Sequence, residues 1–425
     1  MAIILLLVPF HAFLTVWISS AIGHYTLLRL WKEFLLALLI LGAIYLLITD
    51  KLLRRRVFSL NVARLIVVYT ILLVICAMVA LAKHWVTRKA MWYGLLVDLR
   101  YLVFFVTVLI IAAKSDWLRQ SWLKLLLGPA ILVAAFAVLQ YLVLPYDFLK
   151  HFGYGPATIP PYETINHNVQ HIRVASTTRG ANPLGAYLLV PISALAVLLI
   201  KEKSRRRDKT ILGLGLLLAL GFSFSRSAWI GAILAIIIAV WLSLRSARIK
   251  RLAWQAAVVV VVIAGIATAT LHNNHTFQDV FLHTDSASTA AESSNQGHSA
   301  AFKSAAKDII HQPLGGGVGS AGPQSVYNNR PGRIAENYFL QIGQETGVLG
   351  MILFIAICVN VGLMLYQRRA DPLALALLAS LIGLSLVNFL SHAWEDDTLA
   401  YVWWGLAGLA LAPRYSAVKR SWPRQ

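Results

Sequence analysis

Long apolar runs, closed at intervals by clusters of lysine and arginine, constrain this chain more than any other feature. ITDKLLRRR, IKEKSRRRDK and LSLRSARIKR punctuate segments of about 18–22 apolar residues, each long enough to cross a ~30 Å hydrocarbon core. Of 425 residues, 58% are hydrophobic and only 13% are charged, about half the charge of a soluble domain. The pattern is that of an all-α polytopic membrane protein. About twelve transmembrane helices are expected, near 2–22, 33–49, 61–82, 94–113, 122–144, 183–200, 210–225, 227–244, 252–271, 338–366, 371–390 and 398–412. The first stretch, MAIILLLVPFHAFLTVWISSAIG, lacks a basic n-region and reads as an uncleaved span.

The formal charge of +20 raises the question of nucleic acid. Its distribution answers otherwise. With the N-terminus cytoplasmic, the clusters at 51–56, 114–124, 201–209, 245–251 and 367–369 and the tail RYSAVKRSWPRQ all fall inside. Lys and Arg are then about twice as frequent inside as outside, as the positive-inside rule requires. No nucleic-acid partner is expected. The two cysteines, Cys76 and Cys358, sit in apolar spans and form no disulfide framework.

The other side carries two long loops, about 145–182 and 272–337, and most of the histidines: His151, His167, His171, His272, His275, His283, His298 and His311, with His392 in a third, short loop. Long loops between spans are usually functional. HTDSASTAAESSNQGHS (283–299) reads as a mobile segment. SAAFKSAAKDII (299–310) then spaces Phe302, Ala305, Ala306, Ile309 and Ile310 as one helical face, with Ser299 as N-cap. A short amphipathic helix against the bundle is expected. Gly317, Gly319 and Gly322 match G-x-G-x-x-G, but no strand precedes them, so the dinucleotide reading fails. A tight turn is expected; a phosphate cradle made of its amides is the alternative.

Charges beside the membrane are the candidate site. Arg226, in GFSFSRSAWIGAILAIIIAV, opens a span. It either snorkels to the interface or meets an anionic group, which the planar fork of arginine suits when that group is a phosphate. Arg179 precedes Asn182 and Pro183, read as the N-cap and first position of a helix, an anion-friendly place. Asp98 and Arg100 are two apart on a helix and should face different partners. Glu336 is either a first-turn glutamate stabilised by the helix dipole or a general base. Gln341 and Glu345 follow on the same helix, Glu345 being deeper. HAWEDDT (392–398) adds His392, Glu395, Asp396 and Asp397. None of these spacings is that of a standard metal motif.

Taken in order, R-G-x-N-P-L-G-x-Y-L (179–188), F-S-R-S-A-W (224–229), G-H-S-x-x-F-K-x-A (297–305), H-Q-P-L-G-G-G-V-G (311–319) and E-N-Y-F-L-Q-I-G-Q-E-T-G-V-L-G (336–350) resemble the O-antigen ligase and O-antigen polymerase superfamily of bacterial membrane glycosyltransferases. The resemblance spans roughly 170–395. It implies a GT-C-like bundle in the bacterial inner membrane with its active site facing outward. The donor would be a glycan on undecaprenyl pyrophosphate and the acceptor a lipid or glycan hydroxyl, among membrane lipids and without metal or cofactor. Arginines would hold the pyrophosphate; here Arg226 matches the family's motif, with Arg179 and Arg100 as further candidates. His298 falls where ligases carry an arginine, and Glu336 where they carry the histidine base. Glu336 and His298 are therefore the catalytic candidates, with His392, Asn337 and Glu345 in support. The expected organisation is 1–170 (five spans and the first loop), 171–271 (four spans), 272–337 (the large loop) and 338–425 (three spans and a basic tail). A transporter or flippase of lipid-linked saccharides is the alternative, although no internal repeat supports it.

Overall fold

The computed structural model describes residues 1–413 other than 166–167, 245, 272, 275–276 and 279–293. His167, His272, His275, His283, the 283–293 stretch and the tail from 414 lie outside the described residues. The principal helices are α1 (Ala2–Ile22, with a 3₁₀ step at Val8–Phe10), α2 (Tyr25–Thr49), α3 (Asn61–Ala82), α4 (Arg88–Ala112), α5 (Trp122–Leu142), α6 (Ala181–Lys201) and α7 (Arg206–Phe222). They continue as α8 (Arg226–Ser243), α9 (Ala247–Leu271), α10 (Ser294–His311), α11 (Tyr338–Gln367), α12 (Pro372–Leu390) and α13 (Asp397–Leu411).

Helices occupy all twelve expected places. Among the described residues nine of them, α1 to α6, α8, α11 and α12, are long and apolar enough to cross a membrane. At 17 and 15 residues, α7 and α13 reach only ~26 and ~23 Å at 1.5 Å per residue.

The basic segments gather at one end. Lys201 Nζ donates to the carbonyls of Arg369 (2.8 Å) and Ala370 (3.0 Å). Arg119 pairs with Asp371 at 2.8 Å and Lys114 with Asp50 at 2.5 Å. The long loops occupy the opposite end, called here the loop end.

The first loop is not all irregular. Glu163–Ile165 and Asn168–Arg173 form a two-stranded antiparallel hairpin, with Glu163 opposite Arg173 and a register shift at Thr164/Ile165. The all-α expectation did not include it. Several boundaries also differ. α4 starts at Arg88, six residues early, because Thr87 Oγ1 caps it by accepting from Ala90 N at 3.1 Å. α6 starts at Ala181 with Gly180 as N-cap, so Asn182 and Pro183 lie within its first turn. The amphipathic helix is longer than expected. α10 begins at Ser294, which places Ser299 inside it. Ala305 and Ile309 are buried, Phe302 packs on Phe389, and Ile310 points outward.

The largest departure is in α11. Gly347 has φ +71° and ψ −174° in the middle of this helix. A continuous helix would separate Tyr338 and Phe354 by about 24 Å, yet their rings lie 5.4 Å apart, and Phe339 is 6.2 Å from the same ring. The chain therefore folds back at Gly347: a short arm, 338–346, lies against the long arm, 348–367. The backbone groups freed at the break are satisfied by the loop between α10 and α11. Gly316 N donates to Gln344 O (2.7 Å), Gly317 N to Glu345 O (2.8 Å), and Val348 N to Pro313 O (3.0 Å). This is how irregular backbone is tolerated at membrane depth. It also decides the glycine-rich segment. Gly316, Gly317 and Gly319 spend their amides on α11, the last on the Glu345 carboxylate at 2.8 Å. The segment is a buried turn rather than a phosphate cradle.

Candidate functional site at the loop end

A cavity of about 450 Å³ opens at the loop end, lined by Arg173, Asn182, Phe224, Arg226, His298, Glu336 and Phe389 among others. Arg173, Asn182, Arg226, His298 and Glu336 come from five separate places in the chain. Arg226 is the first residue of α8, with Ser225 as N-cap and Phe224 in the left-handed region at φ +48°. The start of α8 is pressed onto α6 at Gly185, where an added Cβ would lie 2.7 Å from Ala228 Cβ and 2.9 Å from Ser225 Cβ. Asn182, two residues after the α6 cap, shares the cavity.

Arg173 ends the second hairpin strand. Its Nη2 donates to Asn182 Oδ1 at 2.5 Å, its Nε donates to Ser223 O at 3.3 Å, and Nη1 lies 3.7 Å from Glu163 Oε2. Glu163 Oε1 also accepts from Ala181 N at 3.1 Å, so one carboxylate caps α6 and steadies this arginine. Arg173 is close enough to Arg226 for their positive charges to interact. Burial pulls the Arg173 pKa below the ordinary arginine value, and Glu163 opposes that shift. Two guanidinium groups held together despite mutual repulsion and desolvation make a site suited to a multiply charged anion.

Glu336 lines the same cavity. It stands one residue before Asn337, the N-cap of α11, whose Oδ1 accepts from Leu340 N at 3.0 Å. Glu336 is therefore outside the first turn, which removes the helix-dipole reading. Its backbone is left-handed at φ +52°, a conformation that costs about 1–3 kcal/mol in a non-glycine residue and collects at functional sites. Two imidazoles flank its carboxylate: His298 Nδ1 is 3.5 Å from Glu336 Oε2, and His392 Nδ1 is 3.9 Å from the same oxygen. Behind them Glu395 is buried, with its Oε1 accepting from Gln341 Nε2. Burial raises the Glu395 pKa above the usual carboxylate value, and His392 and the arginines offset part of the rise. Burial likewise raises that of Asp396, against Arg179.

The structure thus brings together Arg226, His298 and Glu336, with His392 beside Glu336 and Asn337 fixing the arm that carries it. It adds Arg173, which the motif reading passed over; the alternation of N-V-Q-H-I-R before the R-G-x-N-P-L-G motif was its signal. Arg179 is half exposed and lies 3.9 Å from Asp396, outside the cavity lining. Arg100 is placed elsewhere. It is buried, ion-paired with Asp397 and 3.7 Å from Glu33, and its Nη2 donates to Glu395 O at 2.6 Å. Lys32, 1% exposed, joins the same cluster 3.3 Å from Asp397. Arg100 is thus a structural cation beneath the site rather than a ligand for an anion in it. Glu345 is placed elsewhere too. Tyr338 meets Tyr101 through a 2.7 Å hydroxyl contact, whereas Glu345 meets Gly319, which packs on Ala90 near the start of α4. The short arm consequently carries Glu345 towards the loop end of α4 rather than deeper.

The fold and this cavity define a polytopic helical membrane protein with a cationic cavity and a histidine-flanked carboxylate at one end. Within it, residues 211–355 match the family model described as O-antigen ligase. The match covers about a third of the chain and includes Arg226, His298, Glu336 and Glu345. It supports the superfamily suggested by the motifs, and with it a membrane glycosyltransferase-like role in O-antigen assembly. No curated protein matches the chain.

Proposed function

We propose that this protein transfers a glycan from undecaprenyl pyrophosphate to an acceptor hydroxyl at the outer face of the bacterial inner membrane. The observation that carries the reading is that Arg173, Arg226 and Glu336 line one cavity. The arginines bind the pyrophosphate. Glu336 takes the proton of the acceptor hydroxyl as its oxygen attacks the anomeric carbon, a role a carboxylate can fill. The bond from that carbon to the pyrophosphate oxygen breaks, and its electron pair leaves with the pyrophosphate. Fixed guanidinium charge in a poorly hydrated cavity stabilises that developing charge. One such displacement inverts the anomeric configuration. His298 and His392, at 3.5 and 3.9 Å, accept the proton onward from Glu336. The twelve-span topology with both termini cytoplasmic belongs to the same reading.

The break in α11 bears on the alternative, since discontinuous helices also build transporter sites. Here its freed carbonyls accept from Gly316 and Gly317, so they are closed off by the protein itself. That favours the transferase.

The test uses protein in lipid nanodiscs with an undecaprenyl-pyrophosphoryl oligosaccharide and a candidate acceptor. Free undecaprenyl pyrophosphate should be released by the wild type, and at least 100-fold more slowly by Arg226→Ala and Glu336→Gln. Release at the wild-type rate in both variants would move the site. Passage of the donor across the bilayer without release would establish the transporter instead.

A further inference from the structure

A second polar cleft lies at the loop end, away from the candidate site. Two adjoining cavities of about 480 and 470 Å³ share Trp85, Asn328 and Arg330. The first adds Gln312, Ser320 and Arg333; the second adds His84, Arg88 and Asn329. In their floor the turn before α4 is hydrogen-bonded to the loop before α11. Thr87 N donates to Asn328 Oδ1 at 2.9 Å, Thr87 Oγ1 to Tyr327 O at 2.9 Å, and Asn328 Nδ2 to Gly319 O at 2.8 Å.

The lining has a definite chemistry. Trp85 is 46% exposed and offers an indole face. Ser320 Oγ is buried without a hydrogen-bond partner. Arg333 is paired with Asp308; among the described residues Arg88 and Arg330 have no carboxylate within 4.0 Å. An aromatic face beside amides and unneutralised guanidinium forks suits a sugar chain that carries carboxylate or phosphate groups. Tryptophan and arginine also mark the bilayer interface, but there they cover a surface, whereas here they wall a concave cleft.

We propose that this cleft binds an anionic oligosaccharide. Its distance from the candidate site suits a glycan substrate. α10 runs from His298, in the site's cavity, to His311, in the cleft. The thirteen helical steps between them span about 20 Å. A glycan whose reacting end lies at Glu336 can therefore rest its remote sugars here. That the bound glycan is a substrate of the transfer rests on the proposed function; the binding itself does not.

The experiment measures binding without catalysis. Full-length protein in nanodiscs of zwitterionic lipid is titrated into a fluorescent heparin-derived hexasaccharide, with anisotropy as readout. Saturable binding is expected, weakened at least tenfold by Arg330→Glu and by Trp85→Ala, and changed less than twofold by Lys150→Ala, a cation of the first loop that lines none of these cavities. Maltohexaose, which is uncharged, should compete at least tenfold less well than unlabelled hexasaccharide. Binding lost in Arg226→Ala but kept in both cleft variants would overturn the proposal, because the ligand would then occupy the first cavity. Absence of hexasaccharide binding, with phosphatidylglycerol vesicles bound through Arg330 and Trp85, would make the cleft a membrane anchor and overturn it as well. Neither outcome depends on transferase activity, so a failed transfer assay leaves this result standing.

Discussion

His298 Nδ1 lies 3.5 Å from Glu336 Oε2, although the two residues are separated by most of α10 and the whole glycine-rich turn. The resemblance had pointed to these two positions because both depart from the family pattern. Their contact makes the two positions one unit, an imidazole beside a carboxylate.

On the proposed mechanism, that pairing should make the base exchangeable. Glu336→Gln should lower the transfer rate by about 10²–10⁴-fold. Glu336→His should recover much of it, with the acid limb of the rate profile settling near about 6.5, the ordinary imidazole value. Rates of undecaprenyl pyrophosphate release from pH 5 to 9 decide this. A Glu336→His variant as inactive as Glu336→Gln would count against proton abstraction at this position.

Arg173 should matter as much as Arg226. Arg173→Ala should slow release about 10²–10³-fold, the range for removing one preorganised donor. Arg173→Lys should recover little, because an ammonium cannot bridge Asn182, Ser223 and Glu163 as the guanidinium does. Steady-state kinetics on both variants, with circular dichroism to confirm folding, make the comparison.

Gly347→Ala should be costly. A residue with a side chain at φ +71° is strained by about 1–3 kcal/mol, and the new Cβ would lie 2.2 Å from Pro313 O. The expected result is a lower Tm in detergent together with loss of activity, since the arm carrying Glu336 must shift. A Tm equal to wild type would show that the turn does not depend on glycine.

Glu395 gives a pH dependence with a definite sign. Burial raises its folded-state pKa above the unfolded value. The folded protein therefore binds this proton more tightly, and the resulting stability is full below the unfolded pKa and lost as pH rises through the folded one. Glu395→Gln, which can still accept from Gln341, should be more stable than wild type at pH 7.5, with the gap closing by pH 4.5. Thermal unfolding at the two pH values tests the ordering.

Much of this arrangement was legible in the sequence, for physical reasons. Spans announce themselves by length and hydropathy. Arg226, His298 and Glu336 stood out as polar residues where polarity is expensive or as departures from a familiar motif. What was not legible needed contacts between distant segments. Arg100 looked like a site arginine until Asp397 and Glu33, from two other helices, were seen around it. Arg173 looked like loop charge until the hairpin turned it towards Asn182. In E-T-G-V-L-G a single glycine in an apolar run is compatible with an unbroken helix; only the Gly316 and Gly317 amides waiting for Gln344 and Glu345 make the fold-back favourable.

The fold-back also sets an order of assembly. The long arm, 348–367, is apolar enough to enter a bilayer alone. The short arm bears Gln341, Gln344 and Glu345, all buried in the finished protein, and could not remain in lipid unaccompanied. Its partners are α4, through Tyr101, and the 311–319 turn, through Gly316, Gly317 and Gly319, so it should settle after both are in place. Glu336 is tethered to that late-arriving piece, so the protein should complete its membrane insertion before it becomes competent. On the proposed function, an immature chain would then carry a lipid-facing body whose base is not yet in position.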